Sequence, residues 1–445
     1  MIQRNLMSKL EAWKNNPDHK ALLIDGARQV GKTYAVRAFA KKNYQSFLEI
    51  NFVRTPNACK IFEGSLEADE LIMGLTAYSN TALQPGKTLI FLDEIQECPR
   101  ARTAIKFLVE DGRFDYIESG SLLGVTYKHV ESLPVGYEEE LRVYPLTFVE
   151  FAEACGVQPE VLDAAKNACL EGEPVPEPIH ERLLRTFQIY MAVGGMPKAV
   201  QTFIDTNDLA RVLKIQKDIL VLYRQDVTKY APNKAHVKAI FDAIPAELNK
   251  KNKRFKLSDL KETARMERYE SDFMWLADAN VALPCYNIEA PVVPLQVNWK
   301  HNLFKLFLCD TGLLSAASVG AVQFDILQGN FTVNQGSFLE NLIAQQLVAN
   351  GFHLFYYDKS KIGEIDFVVQ KGSAVLPVEA KSGKDFTKHK ALDNLMNVAE
   401  WNLEQAIVLC GENVSRIGAV KYLPWYAVAF LEQDSLPSSL IINLE

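Results

Sequence analysis

Apolar residues recur along the chain in two rhythms. Short unbroken runs closed by glycine or acidic turns read as buried strands, and stretches repeating every three to four residues read as amphipathic helices. Residues 5–18 form a polar helical stretch, and 21–24 is the first apolar run, opened into a loop by Asp25 and Gly26. Helix is predicted over 33–42 and 101–110. Strands are predicted over 88–92, ended by Asp93 and Glu94, and over 116–118, ended by Ser119 and Gly120. This alternation predicts an α/β architecture, a parallel sheet with helices on both faces.

The rhythm breaks over 171–178, where Pro174, Pro176 and Pro178 stand among acids in a stretch that reads as an exposed loop. Helices follow at 181–193, ended by Gly194, Gly195 and Pro197, and at 208–226. Three helices are predicted between 234 and 283: 236–249, one opening at 257–260 with Ser258 as N-cap, and 267–279. Extended segments at 281–289 and 303–309 complete a winged-helix pattern. From Gly336 onward come a helix at 338–350, extended segments at 353–357, 365–370, 374–380 and 406–409, and a helix at 388–400. The chain divides on this reading into 1–155, 156–232, 233–320 and 321–445.

Composition narrows the function classes. Of 445 residues, 48% are hydrophobic and 23% charged, which excludes a disordered or fibrous chain. The net charge of −7 excludes a uniformly basic nucleic-acid coat. Charge is unevenly spread, however: 229–268 holds eleven basic residues and five acids. That segment is the expected contact for DNA or RNA phosphates, against the plainer reading of a solvated helical face. Seven cysteines without a CxxC pair point to reduced thiols and a cytoplasmic protein. No apolar run approaches membrane-spanning length, so no membrane partner is expected.

Two motifs carry chemistry. Gly26, Ala27, Arg28, Gln29, Val30, Gly31, Lys32 and Thr33 match GxxxxGK[ST] between a predicted strand and a predicted helix. Glycines let the backbone N–H groups curl onto phosphate oxygens, Lys32 neutralises the β- and γ-phosphates, and Thr33 holds Mg²⁺. The strand ending in Asp93 and Glu94 offers one carboxylate to the same metal and one to polarise an attacking water. Ser119 or Ser121, ending the next strand, is placed to sense the γ-phosphate. ATP and Mg²⁺ are therefore the expected ligands.

These residues, with the stretches 89–99, 117–121, 142–151, 190–200 and 222–232, resemble the bacterial and archaeal AAA-type P-loop ATPases that carry an uncharacterised C-terminal domain. The resemblance covers most of the chain. It implies a helical lid behind the nucleotide and a homo-oligomer in which a neighbour's arginine completes the site. Many members carry Gly-Arg after the sensor region; Gly136 is followed here by Tyr137, so no arginine role transfers to that point.

The second motif is C-terminal. Asp366 stands in an apolar strand, and thirteen residues later Glu379 and Lys381 alternate with Val378 and Ala380, placing both on one strand face. If the strands pair, Asp366 and Glu379 share a divalent metal, with Lys381 at the phosphate and Glu340 as a fourth member. Asp366, Glu379 and Lys381 resemble the core of the PD-(D/E)xK restriction-endonuclease-like superfamily. The leading expectation is an ATPase coupled to nucleic-acid binding or cleavage. The rivals are an ATP-driven interaction switch with a non-catalytic nuclease-like fold and, less favoured, a small-molecule kinase.

Overall fold

The computed structural model describes residues 2, 4–121, 133–262, 265–318, 325 and 335–434. The first half opens with α1 (Asn5–Asn15), β1 (Ala21–Asp25), α2 (Lys32–Asn43), β2 (Ser46–Asn51) and α3 (Ala68–Tyr78). It continues with β3 (Thr88–Asp93), α4 (Pro99–Asp111), β4 (Asp115–Gly120) and β5 (Glu138–Arg142). Helices follow: α5 (Phe148–Ala154), α6 (Pro159–Glu171), α7 (Glu177–Val193), α8 (Pro197–Thr206), α9 (Leu209–Tyr230), α10 (Lys234–Leu248) and α11 (Met266–Asp278). The rest is β6 (Ala282–Ile288), β7 (Trp299–Leu308), α12 (Thr311–Ala317), α13 (Gln335–Ala349), β8 (Phe355–Lys359), β9 (Gly363–Lys371), β10 (Ala374–Ala380), α14 (Lys390–Met396), β11 (Ala406–Cys410), β12 (Ser415–Ile417) and β13 (Val420–Pro424).

The predicted parallel sheet is present, in the order β2-β3-β4-β1-β5, and every pairing is parallel. All residues of β1 and β3 are buried, as a strand covered on both faces requires. β4 lies between them, so the Asp93 tip and the glycine loop flank the end of β4 rather than each other.

The second sheet has eight strands, β12-β13-β11-β10-β9-β8-β6-β7. β6 and β7 form the expected antiparallel hairpin, but β6 also pairs in parallel with β8. The hairpin of the winged-helix pattern therefore belongs to the same sheet as the C-terminal strands. The helix predicted at 257–260 is only a 3-10 turn, Leu257–Asp259. The boundary drawn at 320/321 lies outside the described residues. The acidic loop is shorter than predicted, because Pro178 falls in the first turn of α7, where its missing N–H costs nothing.

One apolar core runs from Leu6, Ile24 and Phe91 through Tyr190, Leu220 and Phe241 to Phe367 and Tyr426, joining a face of each sheet. The outer faces close over separate cores around Leu23 and Ile90 and around Ile365 and Val408. A buried polar seam crosses the joint. Gly195 N donates to Asp310 Oδ2 at 2.6 Å, Leu146 N to Gly195 O at 2.7 Å, and Gln345 Nε2 to Tyr190 Oη at 2.8 Å. A Cβ on Gly195 would overlap the Leu146 carbonyl, so glycine is required there by contact.

Candidate nucleotide site and carboxylate cluster

The glycine loop leaves β1 at Gly26, whose positive φ and close approach to the Val143 carbonyl leave no room for a side chain. Gly31 caps α2 in the left-handed region and turns the helix N-terminus toward the loop. Lys32 Nζ donates to the Gly26 and Ala27 carbonyls at 2.6 and 3.0 Å. Burial lowers the Lys32 ammonium to about 8, although Glu94, Asp25 and Asp93 favour its charge.

Thr33 Oγ1 lies 3.2 and 3.3 Å from the two oxygens of Asp93. Asp93 also accepts from Ser119 Oγ at 2.5 Å and Asn51 Nδ2 at 2.7 Å. Hydroxyl and carboxylate oxygens of this kind suit Mg²⁺, which needs few protein ligands beside phosphate and water. Ser119 is fully buried and reaches the site through Asp93, whereas Ser121 lines the cavity. Glu94 adopts a left-handed backbone and accepts from Gln96 Nε2 at 2.6 Å.

A cavity of about 590 Å³ opens over these groups, lined by Arg28, Gln29, Gly31, Lys32, Thr33, Asp93 and Glu94. Its far wall comes from Ile2 and Arg4 and from Pro197, Lys198 and Gln201 of α8. Sequence reading missed this wall, as it missed Asn51. The one signal was Pro197 after two glycines, a helix start fixed against the loop. Ala27 and Val30 are buried beneath the loop, and the Val30 carbonyl accepts from Arg4 Nη1 at 3.0 Å.

Helix α9 grips both loops. Arg28 pairs with Asp226, and Tyr223 Oη donates to the Arg28 carbonyl at 3.0 Å. Lys229 and Tyr230 reach Glu97, just past Glu94, at 3.4 and 2.8 Å.

The C-terminal residues also meet. β9 and β10 pair antiparallel, with Val378 opposite Phe367. Asp366 Oδ2 accepts from Ala380 N at 2.9 Å, and Lys381 Nζ donates to Glu379 Oε1 at 2.8 Å. Burial, reinforced by Asp366, pushes the Glu379 carboxyl above its ordinary range, and its Oε2 is buried without a hydrogen-bond partner. Glu340 does not join them freely: one oxygen pairs with Lys253 and the other lies 3.7 Å from Lys305 Nζ. Lys305 and Glu364 are members the sequence reading missed. Among the described residues, no three His, Cys, Asp or Glu side chains are arranged as a metal cage. Asp366 and Glu379 still suit an ion of the Mg²⁺ type, which is commonly held by one or two carboxylates.

In the basic segment, Lys229, Lys250 and Lys253 pair with acids of the chain, which reduces the free charge. Lys234, Lys238, Lys251, Arg254, Lys256, Lys261, Arg265 and Arg268 remain exposed. Tyr269 is buried and stacked on His236, whereas Met274 is exposed. No helix among the described residues is long and apolar enough to cross a membrane.

Residues 18–152 match the family model described as an AAA domain. Residues 184–323 and 335–428 match two models, each described as a domain of unknown function. The parallel sheet, glycine loop and Asp93 strand tip make residues 18–152 an AAA-type P-loop domain, a class that binds nucleotide, usually with Mg²⁺. No curated protein matches the chain. Among solved structures it is similar to a Walker-type ATPase of Pyrococcus abyssi, at 15% identity over 72% of this chain and 96% of that one, TM-score 0.43. It is also similar to the Aeropyrum pernix Orc1 protein solved with DNA, at 14% identity over 71% and 90%, TM-score 0.28. A third is the Thermotoga maritima RuvB Holliday junction branch migration motor, at 16% over 63% and 89%, TM-score 0.29.

Proposed function

We propose that this protein binds and hydrolyses ATP in the α2 cleft and that nucleotide state governs cleavage of nucleic acid at the Asp366–Glu379–Lys381 cluster. The carrying observation is convergence: Asp366, read from one stretch of sequence, and Glu379 and Lys381, read from another, lie in one cluster at the paired strands β9 and β10, with Glu379 buried and the other two half-buried.

At the nucleotide site, loop N–H groups and Lys32 hold the phosphates. Thr33 and Asp93 are the Mg²⁺ ligands, and Ser119 and Asn51 fix the Asp93 carboxylate. Glu94 orients the attacking water. At the second site Asp366 and Glu379 are the metal ligands, and Lys381 faces the charge that develops on phosphate. A divalent ion there would supply Lewis-acid stabilisation and a more acidic water. The exposed cations of 234–268 hold the nucleic-acid backbone.

Contacts of α9 support the coupling. It touches the glycine loop through Tyr223 and Asp226 and the Glu94 turn through Lys229 and Tyr230. It packs on α10, which packs on α11 and on β7, the strand that carries Lys305. Two-state behaviour of α9 would link the sites.

One observation favours the rival reading, a switch that binds a partner without cutting: lysines already face Glu340 and Glu364. Purified protein with Mn²⁺ and single-stranded or plasmid DNA separates the two. The nuclease reading expects nicking that disappears in Asp366→Asn and Lys381→Ala. Salt-sensitive binding without nicking under any metal would replace it with the switch.

A further inference from the structure

The far wall of the nucleotide cleft bears on which base the cleft takes. A Cβ on Gly31 would meet Pro197 Cγ at 3.5 Å, so α8 starts against the glycine loop. At 1.5 Å of rise per residue, Gln201 stands about 6 Å further along α8, beyond the phosphate end of the cavity. Ile2, Tyr34 and Pro197 give this wall its apolar surface. Tyr34 follows Thr33 directly, lines the cavity and is 58% exposed, a large planar face left uncovered. An apolar wall beside a phosphate cradle suits the flat face of a base, and 590 Å³ is room for a whole nucleotide.

The polar side chains of that wall differ in what they can read. Arg4 and Lys198 only donate hydrogen bonds. Gln201 can both donate and accept, and its orientation is fixed: Nε2 donates to Asp205 Oδ1 at 2.8 Å, one turn further along α8. An ionised carboxylate only accepts, so the NH₂ end of the amide faces Asp205. Among the described residues, no group donates to Gln201 Oε1.

We infer that Gln201, held in one orientation by Asp205, selects adenine over guanine in this cleft. This rests on the reading of the cleft as the site of a nucleoside triphosphate. Oε1 accepts from the 6-amino group of adenine, and the second Nε2 hydrogen is left for a ring nitrogen, the two-point pairing by which an amide reads adenine. Guanine carries a carbonyl oxygen at the same position and sets acceptor against acceptor. Turning the amide to suit guanine would break its bond to Asp205 and aim Oε1 at the carboxylate. Tyr34 stacks on either base, so it adds affinity without choosing. Gln201 is thus the specificity-determining residue, and Asp205 positions it.

The test is displacement of a fluorescent ATP analogue by ATP and by GTP from the full chain with Mg²⁺. Wild type is expected to bind ATP at least about fivefold tighter than GTP. Gln201→Leu should bring the two within about twofold, chiefly by weakening ATP. Asp205→Ala should narrow the gap by tightening GTP, because the amide is then free to turn; damage to α8 alone would not strengthen any ligand. Tyr34→Ala should weaken both nucleotides alike. Gln201 and Asp205 are both exposed, so neither change threatens the fold. Equal affinities in wild type, or a preference that survives Gln201→Leu, would overturn the inference while leaving the nucleotide site standing. So would an Asp205→Ala chain with an unchanged ratio. Binding of neither nucleotide would instead sink the reading of the cleft, and this inference with it.

Discussion

Gly195→Ala tests whether the joint between the two sheets also sets the nucleotide cleft. Gly195 adopts an ordinary backbone conformation, so alanine adds no torsional strain and acts through contact alone. Its Cβ would overlap the Leu146 carbonyl and lie 2.7 Å from Leu146 N and 3.0 Å from Pro145 Cβ. Backbone cannot swing away as a side chain does, so the two segments must part. That adds an overpacking cost of about 1–3 kcal/mol. It also weakens the buried 2.7 Å bond from Leu146 N to Gly195 O, at about 1–3 kcal/mol more. The expected loss is therefore about 2–6 kcal/mol. The shift carries into α8, which starts two residues on and supplies Lys198 and Gln201 to the cavity wall. Urea unfolding and titration with a fluorescent ATP analogue read both effects. A lower midpoint together with at least about threefold weaker nucleotide binding is expected. An unchanged midpoint would refute the contact argument, and a lower midpoint with unchanged binding would refute the link to the cleft.

Other outcomes follow from the same geometry. Glu94→Gln should retain ATP binding and lose about 10²–10⁴-fold in turnover, read by phosphate release against analogue binding. Because Lys32 loses its charge above about 8, ATP affinity should be steady near pH 7 and fall as pH rises past that point, up to about tenfold per pH unit; a flat Kd from pH 7 to 9.5 would count against this. Asp226→Asn should weaken the tie to Arg28 and make ATP turnover less responsive to added DNA, with basal turnover assayed alongside.

What could be read in advance divides along physical lines. The glycine loop and the Asp93 strand tip announce themselves because their chemistry is local: neighbouring residues do the work. Asp366 and Lys381 stood out as candidates because a charge in an apolar strand is costly without a partner. Lys305 carried the same signal between Phe304 and Leu306, but its partners come from α13 and β9, which only the folded sheet brings near. β2 and β5 went unread because they have polar faces; β5 is mostly Glu138, Glu139 and Glu140. The hairpin of β6 and β7 looked like a wing because its pairing with β8, about 70 residues downstream, is non-local. Helix α9 was visible as a helix, yet its hold on Arg28 and Glu97 depends on side chains that meet only in the tertiary structure.

The central claim is that the two sites act as one machine. Its most direct test is plasmid nicking with Mn²⁺, with and without ATP, by wild type, Lys32→Ala and Glu379→Gln. The account predicts nicking by wild type that changes with ATP, loses its ATP response in Lys32→Ala, and is absent in Glu379→Gln. Nicking of equal rate with and without ATP, identical in Lys32→Ala, would contradict the coupling; no nicking while ATP is hydrolysed would contradict the nuclease assignment.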